Sequence, residues 1–104
     1  MNRTVALTLA PPLLALTLAG CWGPPQIGTD KDTFRAVDAL YTAVSLRDVK
    51  LVEQCEAKLK SLREAGKLPE SASQSLDSMI AEAKGGSWVP AQERLSTFME
   101  GQRH

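Results

Sequence analysis

The feature that most constrains the fold is a helical repeat of apolar residues beyond Gly28. In four successive segments, apolar side chains recur at steps of three and four residues, which places them on one face of an α-helix. The four sets are Phe34, Val37, Leu40, Tyr41 and Val44; Val52, Cys55, Leu59 and Leu62; Ala72, Leu76, Met79, Ile80 and Ala83; and Trp88, Ala91, Leu95, Phe98 and Met99. The pattern predicts a small all-α domain of four amphipathic helices.

The breaks between these segments predict where each helix begins and ends. Thr29 followed by Asp32 is typical of a capping box, with aspartate in place of glutamate. Asp48 and Ser87 suit the N-caps of the second and fourth helices, and Gly66 suits the left-handed position that ends a helix. Prolines fall in the first turns of the third and fourth helices, and a glycine pair ends the third: Pro69, Pro90 and Gly85-Gly86. The predicted helices cover residues 30–46, 49–65, 69–84 and 88–100.

The short breaks group the helices into two consecutive αα-hairpins. The apolar positions of the two halves align at an offset of 36 residues, as in Leu40 with Leu76 and Leu59 with Leu95. The stretch Gly86-Ser87-Trp88-Val89-Pro90-Ala91 resembles the second helix of a tetratricopeptide unit, where a glycine, an aromatic residue and an alanine allow close helix packing. The first half departs from that pattern, since Arg47-Asp48 and Val52 stand at its glycine and aromatic positions. A tetratricopeptide-like pair and a simple four-helix bundle therefore both remain open.

The N-terminal region has the composition of an export signal. Arg3 precedes an apolar run over residues 5–18, which is long enough for a signal sequence and too short for a membrane span. The run ends in Leu18-Ala19-Gly20-Cys21, which resembles the lipobox of bacterial lipoproteins; an ordinary secretory signal is the alternative. The resemblance implies that residues 1–20 are a signal peptide and that Cys21 becomes an acylated, membrane-anchored N-terminus on the extracytoplasmic face. Trp22 replaces the aspartate that often marks inner-membrane retention, which favours the outer membrane where the organism has one.

The segment between the lipobox-like sequence and the first helix lacks a helical period. Residues 22–28, with the sequence WGPPQIG, are rich in glycine and proline and predict a short flexible spacer. The expected organisation is therefore a signal peptide (1–20), a lipidated cysteine with its spacer (21–29), a helical domain (30–100) and a frayed tail (101–104).

The residues needed for catalysis or metal binding are missing from the sequence. His104 is the single histidine and ends the chain, and lipidation of Cys21 would leave Cys55 alone, so none of the usual zinc ligand sets can form. The acid pairs on one helix face, Glu53 with Glu56 and Asp77 with Glu82, are interspersed with lysine and serine and are expected to be solvated. With 12 basic and 12 acidic residues, the chain has no basic excess for nucleic acid or anionic lipid. We expect no enzyme activity, metal or cofactor.

Because the sequence lacks residues for catalysis or metal binding, we expect the domain to have a binding role. Trp88 is expected in the core but could present a binding surface, and Val49 and Leu51 lie off the apolar face of the second helix. The favoured interpretation is a membrane-anchored, non-catalytic domain that binds a protein partner. The alternative is a carrier or sensor for a small ligand, with a pocket between the hairpins lined by Trp88, Met79 and Leu59.

Overall fold

The computed structural model describes residues 24–102 of the chain. They form four helices: α1 Lys31–Ser45, α2 Val49–Glu64, α3 Glu70–Lys84 and α4 Trp88–Glu100. The expected all-α fold is confirmed, and the residues that are described contain no strand. The predicted signal peptide, the lipobox-like segment with Cys21, and His104 lie outside this range.

The helices pack as an up-down-up-down ring. α1 packs on α2, α2 on α3, α3 on α4, and α4 returns to α1. One hydrogen bond shows that the start of α1 and the α2–α3 loop lie at the same end of the bundle: Thr33 Oγ1 donates to Lys67 O at 3.0 Å. The end that carries the α1–α2 and α3–α4 loops is called the loop end below. The opposite end carries the α2–α3 loop and both ends of the described chain, and is called the strap end.

The apolar faces meet in one core. The stripes predicted from the sequence supply most of it, with Leu40, Val52, Ala72 and Leu95 completely buried. Phe34, Tyr41, Cys55, Trp88 and Met99 are half-buried and pack against its edge. Burial of a single large apolar side chain is worth about 1.5–3 kcal/mol, so this shared core is the main source of stability.

All three interhelical turns close a helix in the same way. The residue after the C-cap is left-handed in each: Arg47 (φ 55°), Gly66 (φ 78°) and Gly86 (φ 93°). The next N–H then donates to a carbonyl five residues earlier, in the pairs Asp48 to Ala43, Lys67 to Leu62 and Ser87 to Glu82, at 2.9–3.1 Å. These are Schellman motifs, which satisfy carbonyls that a helix end leaves free. Glycine adopts the left-handed conformation without strain, whereas Arg47 adopts it at a cost.

The helix starts follow the sequence at α2 and differ at α1 and α4. Asp48 accepts a hydrogen bond from the N–H of Leu51, as expected of an N-cap. At α1 the N-cap is Asp30, which accepts from the Thr33 N–H, so the expected capping box of Thr29 and Asp32 is wrong by one residue.

The side chain of Ser87 makes no capping hydrogen bond, contrary to expectation. An N-cap side chain bonds the N–H of the second or third helical residue. In α1 and α2 the donor is the third residue, and in α4 that position is Pro90, which has no N–H. At α3 the N-cap position is Pro69, one residue before the helix, and it also lacks a side-chain cap.

The apolar positions predicted an offset of 36 residues between the two halves, whereas the loops of the structure give an offset of 39. The left-handed residues Arg47 and Gly86 are 39 residues apart, and so are Val49 and Trp88, the first residues of α2 and α4. Because 36 residues is ten turns of helix, two apolar stripes align at that shift whatever their loops do. The turns define the structural repeat, and they set it at 39.

Candidate functional site

The segment that enters α1 is packed against the bundle. Ile27 has only 1% of its surface exposed and belongs to the core. At Gly101 an added side chain would collide with the ring of Pro24, so this ring packs closely against the glycine. We call residues 24–28 the strap. The Gly/Pro composition predicted a flexible spacer here. In the structure, the buried Ile27 and a set of hydrogen bonds hold residues 24–28 against the bundle.

Gln102 is the centre of those hydrogen bonds. It is 7% exposed, and its Oε1 accepts from the N–H of Ile27 at 2.8 Å. Its Nε2 donates to the carbonyls of Pro25 at 3.0 Å and Phe98 at 2.9 Å. Gln26 Nε2 donates in turn to Gly101 O at 3.0 Å. The tail expected to be frayed from Gly101 onward is therefore ordered as far as Gln102, and Arg103 and His104 lie outside the described range.

At the loop end, four large apolar side chains face solvent. Their exposed fractions are 64% for Leu46, 42% for Val49, 36% for Leu51 and 52% for Val89. We call these four residues the loop-end surface. Three of them sit in the α1–α2 turn or in the first turn of α2, and Val89 lies in the first turn of α4. The antiparallel ring brings both turns to the same end of the bundle.

The structure separates the three residues that the sequence singled out for binding. Val49 and Leu51 are exposed, which is the condition under which they could form a partner surface. Trp88 is half-buried: it packs against the core, and part of its side chain remains exposed. The sequence reasoning missed Leu46 and Val89. Both are apolar residues off the apolar face of a helix, and this same feature singles out Val49 in the sequence.

One acid of each predicted acid pair, Glu56 and Glu82, makes a surface ion pair. Glu56 Oε1 lies 3.0 Å from Lys84 Nζ, and this hydrogen bond raises the pKa of Lys84 above its ordinary value. Glu82 Oε1 lies 2.6 Å from Arg94 Nη1. These side chains are partly exposed, so their charges are screened by water. Each of these contacts joins an acid to a base, and neither arranges two carboxyl groups as a general acid and a general base.

The single thiol within the described range is not activated. Cys55 is half-buried beside the core, and burial raises its pKa, which lowers the thiolate fraction. Among the residues that the structure describes, no group of three or more histidine, cysteine or acidic side chains is placed to hold a metal ion.

Two open clefts flank the strap. One of about 350 Å³ has mainly apolar walls that include Ile27, Phe34, Val37 and Met99. The other, of about 400 Å³, lies beside Pro24 and includes Met79 and Phe98. Neither is bordered by Trp88 or Leu59, so these clefts are not the pocket between the hairpins that the ligand-carrier alternative requires.

No protein-family model matches the chain, and neither the curated proteins nor the solved structures include a significant match to it. Across residues 24–102, no helix is both long enough and apolar enough to cross a bilayer.

Proposed function

We propose that the protein is a lipoprotein of the bacterial envelope, anchored through Cys21, whose helical domain binds a protein partner without catalysing a reaction. The observation that carries the partner-binding part is the loop-end surface. Four large apolar side chains are exposed at one end of a bundle whose other apolar residues are mostly buried. The anchoring part is supported by the sequence Leu18-Ala19-Gly20-Cys21 after an apolar run.

The loop-end surface has the composition of a weak or regulated binding site. Exposed apolar groups scattered singly need no explanation, whereas a group of them at one place is typical of an interaction surface. Val49 and Val89 are both in the first turn of a helix, so the backbone beneath them is fixed. Arg47, Asp48 and Lys50 provide a polar border around the apolar side chains, which is the usual composition of an interface rim.

Anchoring is tested by Cys21→Ser in the full-length chain. The variant is expected to be released from membranes or to accumulate as an uncut precursor, because serine cannot receive the thioether-linked lipid. Membrane fractionation and the mass of the N-terminal peptide distinguish these results from wild type. Processed Cys21→Ser protein that remains in the membrane fraction as wild type does would refute the lipoprotein assignment.

Partner binding is tested by the double variant Val49→Glu/Val89→Glu. Both positions lie in first helical turns, where a carboxylate interacts favourably with the helix dipole, so the fold should tolerate the change. The matched control is Ala57→Glu/Ser71→Glu, which adds the same two charges at exposed positions away from the loop end.

The measurement is chemical crosslinking in intact cells, followed by purification of the full-length protein and identification of adducts. The control variant is expected to keep the wild-type adducts and the Val49→Glu/Val89→Glu variant to lose them. Equal retention by both variants would show that the loop-end surface is not the binding site. Circular dichroism of both variants checks that the helices are intact.

A further inference from the structure

We propose that the strap end of the bundle faces the phospholipid bilayer and that the strap holds the bundle there in one orientation, with the loop-end surface directed away from the membrane. This inference rests on the proposed lipid anchor at Cys21. It adds what the anchor alone does not give, namely which surface meets the lipid and which surface meets the partner.

The first step is the length of chain between the anchor and the docked strap. Only Trp22 and Gly23 separate Cys21 from Pro24. Three residue steps span at most about 11 Å when fully extended. Wherever these residues lie, Pro24 cannot be farther than that from the acylated cysteine.

The second step is that Pro24 belongs to the rigid bundle. Its ring contacts Gly101, and the buried Ile27 and the hydrogen bonds of Gln26 and Gln102 hold the rest of the strap. Without the strap, the first fixed residue would be Asp30, and the nine steps from Cys21 would extend to about 30 Å. That length exceeds the helices themselves and would allow the bundle to turn freely.

The third step is the distance between the two ends. The 15 residues of α1 rise about 22 Å from the strap end to the loop end. In the proposed orientation, a bundle held within about 11 Å of its anchor at the strap end carries Leu46, Val49 and Val89 roughly a helix length farther from the lipid. A protein partner can then reach the loop-end surface without competition from the bilayer.

The charges at the strap end do not provide an alternative cause for the orientation. Lys67 Nζ lies 3.8 Å from Asp32 Oδ2, and Arg63 lies 4.0 Å from Glu70. These two cations are paired with acids, and Lys31, a further exposed cation of this end, stands between Asp30 and Asp32 in the chain, so the surface has little attraction for anionic headgroups. The orientation should therefore be the same on zwitterionic and anionic membranes and should not depend on salt.

The experiment places one fluorophore at each end of α2. In a Cys55→Ala background, Glu64→Cys labels the strap end and Lys50→Cys labels the loop end, both at exposed positions. The two sites are 14 residues apart on one helix, or about 21 Å. Full-length acylated protein is reconstituted into phosphatidylcholine vesicles, with or without phosphatidylglycerol, that contain a headgroup nitroxide quencher.

The Glu64→Cys label is expected to be quenched severalfold more than the Lys50→Cys label in both kinds of vesicle. Insertion of a 12-residue glycine–serine segment between Gly23 and Pro24, a length chosen to exceed the helix length when extended, should remove most of that difference. Equal quenching at the two sites, a difference confined to anionic vesicles, or a difference that survives the insertion would each overturn the inference.

Flotation of the same samples separates this inference from the one on which it rests. Protein that floats with the vesicles but shows equal quenching leaves the anchor intact and refutes the orientation. Protein that does not float with the vesicles refutes the anchor, and the orientation with it.

Discussion

Arg47 is the position at which a single substitution should stabilise the protein. It occupies the left-handed position of the α1–α2 turn with φ 55°, where the two other turns have Gly66 and Gly86. Its side chain is exposed, so its removal takes little from the core. We expect Arg47→Gly to raise the free energy of unfolding.

The magnitude follows from two opposing terms. A non-glycine residue in the left-handed region costs about 1–2 kcal/mol, which the glycine removes. Glycine also makes the unfolded chain more flexible, which costs about 0.4–1 kcal/mol. The net gain is about 0.5–1 kcal/mol, and Gly66→Ala or Gly86→Ala should lose a similar amount. Because an added Cβ at either glycine meets nothing within 4 Å, that loss comes from backbone conformation alone.

The assay is urea unfolding followed by circular dichroism at the helix band, with the four variants compared under one set of conditions. Arg47→Ala is the matched control, since it removes the charged side chain and keeps a non-glycine residue in the left-handed turn; it should lie close to wild type. The midpoint should shift without a change in slope. Each 1 kcal/mol corresponds to about 4–8 °C in Tm for a domain of this size. Arg47→Gly that is no more stable than Arg47→Ala would refute the strain argument.

Three other predictions concern caps, the strap and acid stability. Asp48→Ala should lower the free energy of unfolding by about 1 kcal/mol, whereas Ser87→Ala should leave it nearly unchanged because that side chain caps nothing; equal losses in thermal unfolding would contradict this. Gln102→Ala should cost about 2 kcal/mol because it leaves buried strap groups unpaired, while Gln92→Ala, which loses one long hydrogen bond of 3.5 Å, should cost much less. The hydrogen bond from the backbone N–H of Thr33 lowers the pKa of Asp30. The ionised Asp30 therefore stabilises the fold above the ordinary aspartate pKa, and this stabilisation is lost as the pH falls through the lowered pKa. Asp30→Asn should therefore lose less stability than wild type between about pH 5 and pH 2, as measured by urea midpoints.

The four helices could be predicted because their signals are local. The stripe of α2 follows from the spacing of Val52, Leu59 and Leu62, and all three are buried. Asp48 and Gly66 act through hydrogen bonds and backbone angles within a few residues, and the sequence identifies both. The errors at Thr29 and Ser87 are also local. At α1 the adjacent Asp30 is the cap in place of Thr29, and at α4 Pro90 provides no N–H for Ser87 to accept.

The strap could not be predicted, because its signals are not local. Pro24, Pro25 and Gly28 give the segment the composition of a spacer, and Ile27 is a single apolar residue without a period. What fixes it is Gln102, 75 residues later in the chain, through a hydrogen bond to the Ile27 N–H. Only the closed ring of helices brings these two ends together. The loop-end surface was predicted in part, at Val49 and Leu51, because exposure of residues off an apolar face depends on one helix alone.

The separation of an anchor from a binding surface follows from the number of helices. An antiparallel ring with four members returns the chain to the end where it began, so both ends of the described range lie together and two of the three turns lie at the opposite end. Residues at these turns that lie off the apolar faces are exposed to solvent, and here Leu46 and Val49 are among them. The same topology that joins the strap to Gln102 therefore places the apolar turn residues a helix length from the anchor. A fifth helix in the same ring would end at the loop end and remove the partner that holds the strap, so the proposed orientation depends on the four-helix topology.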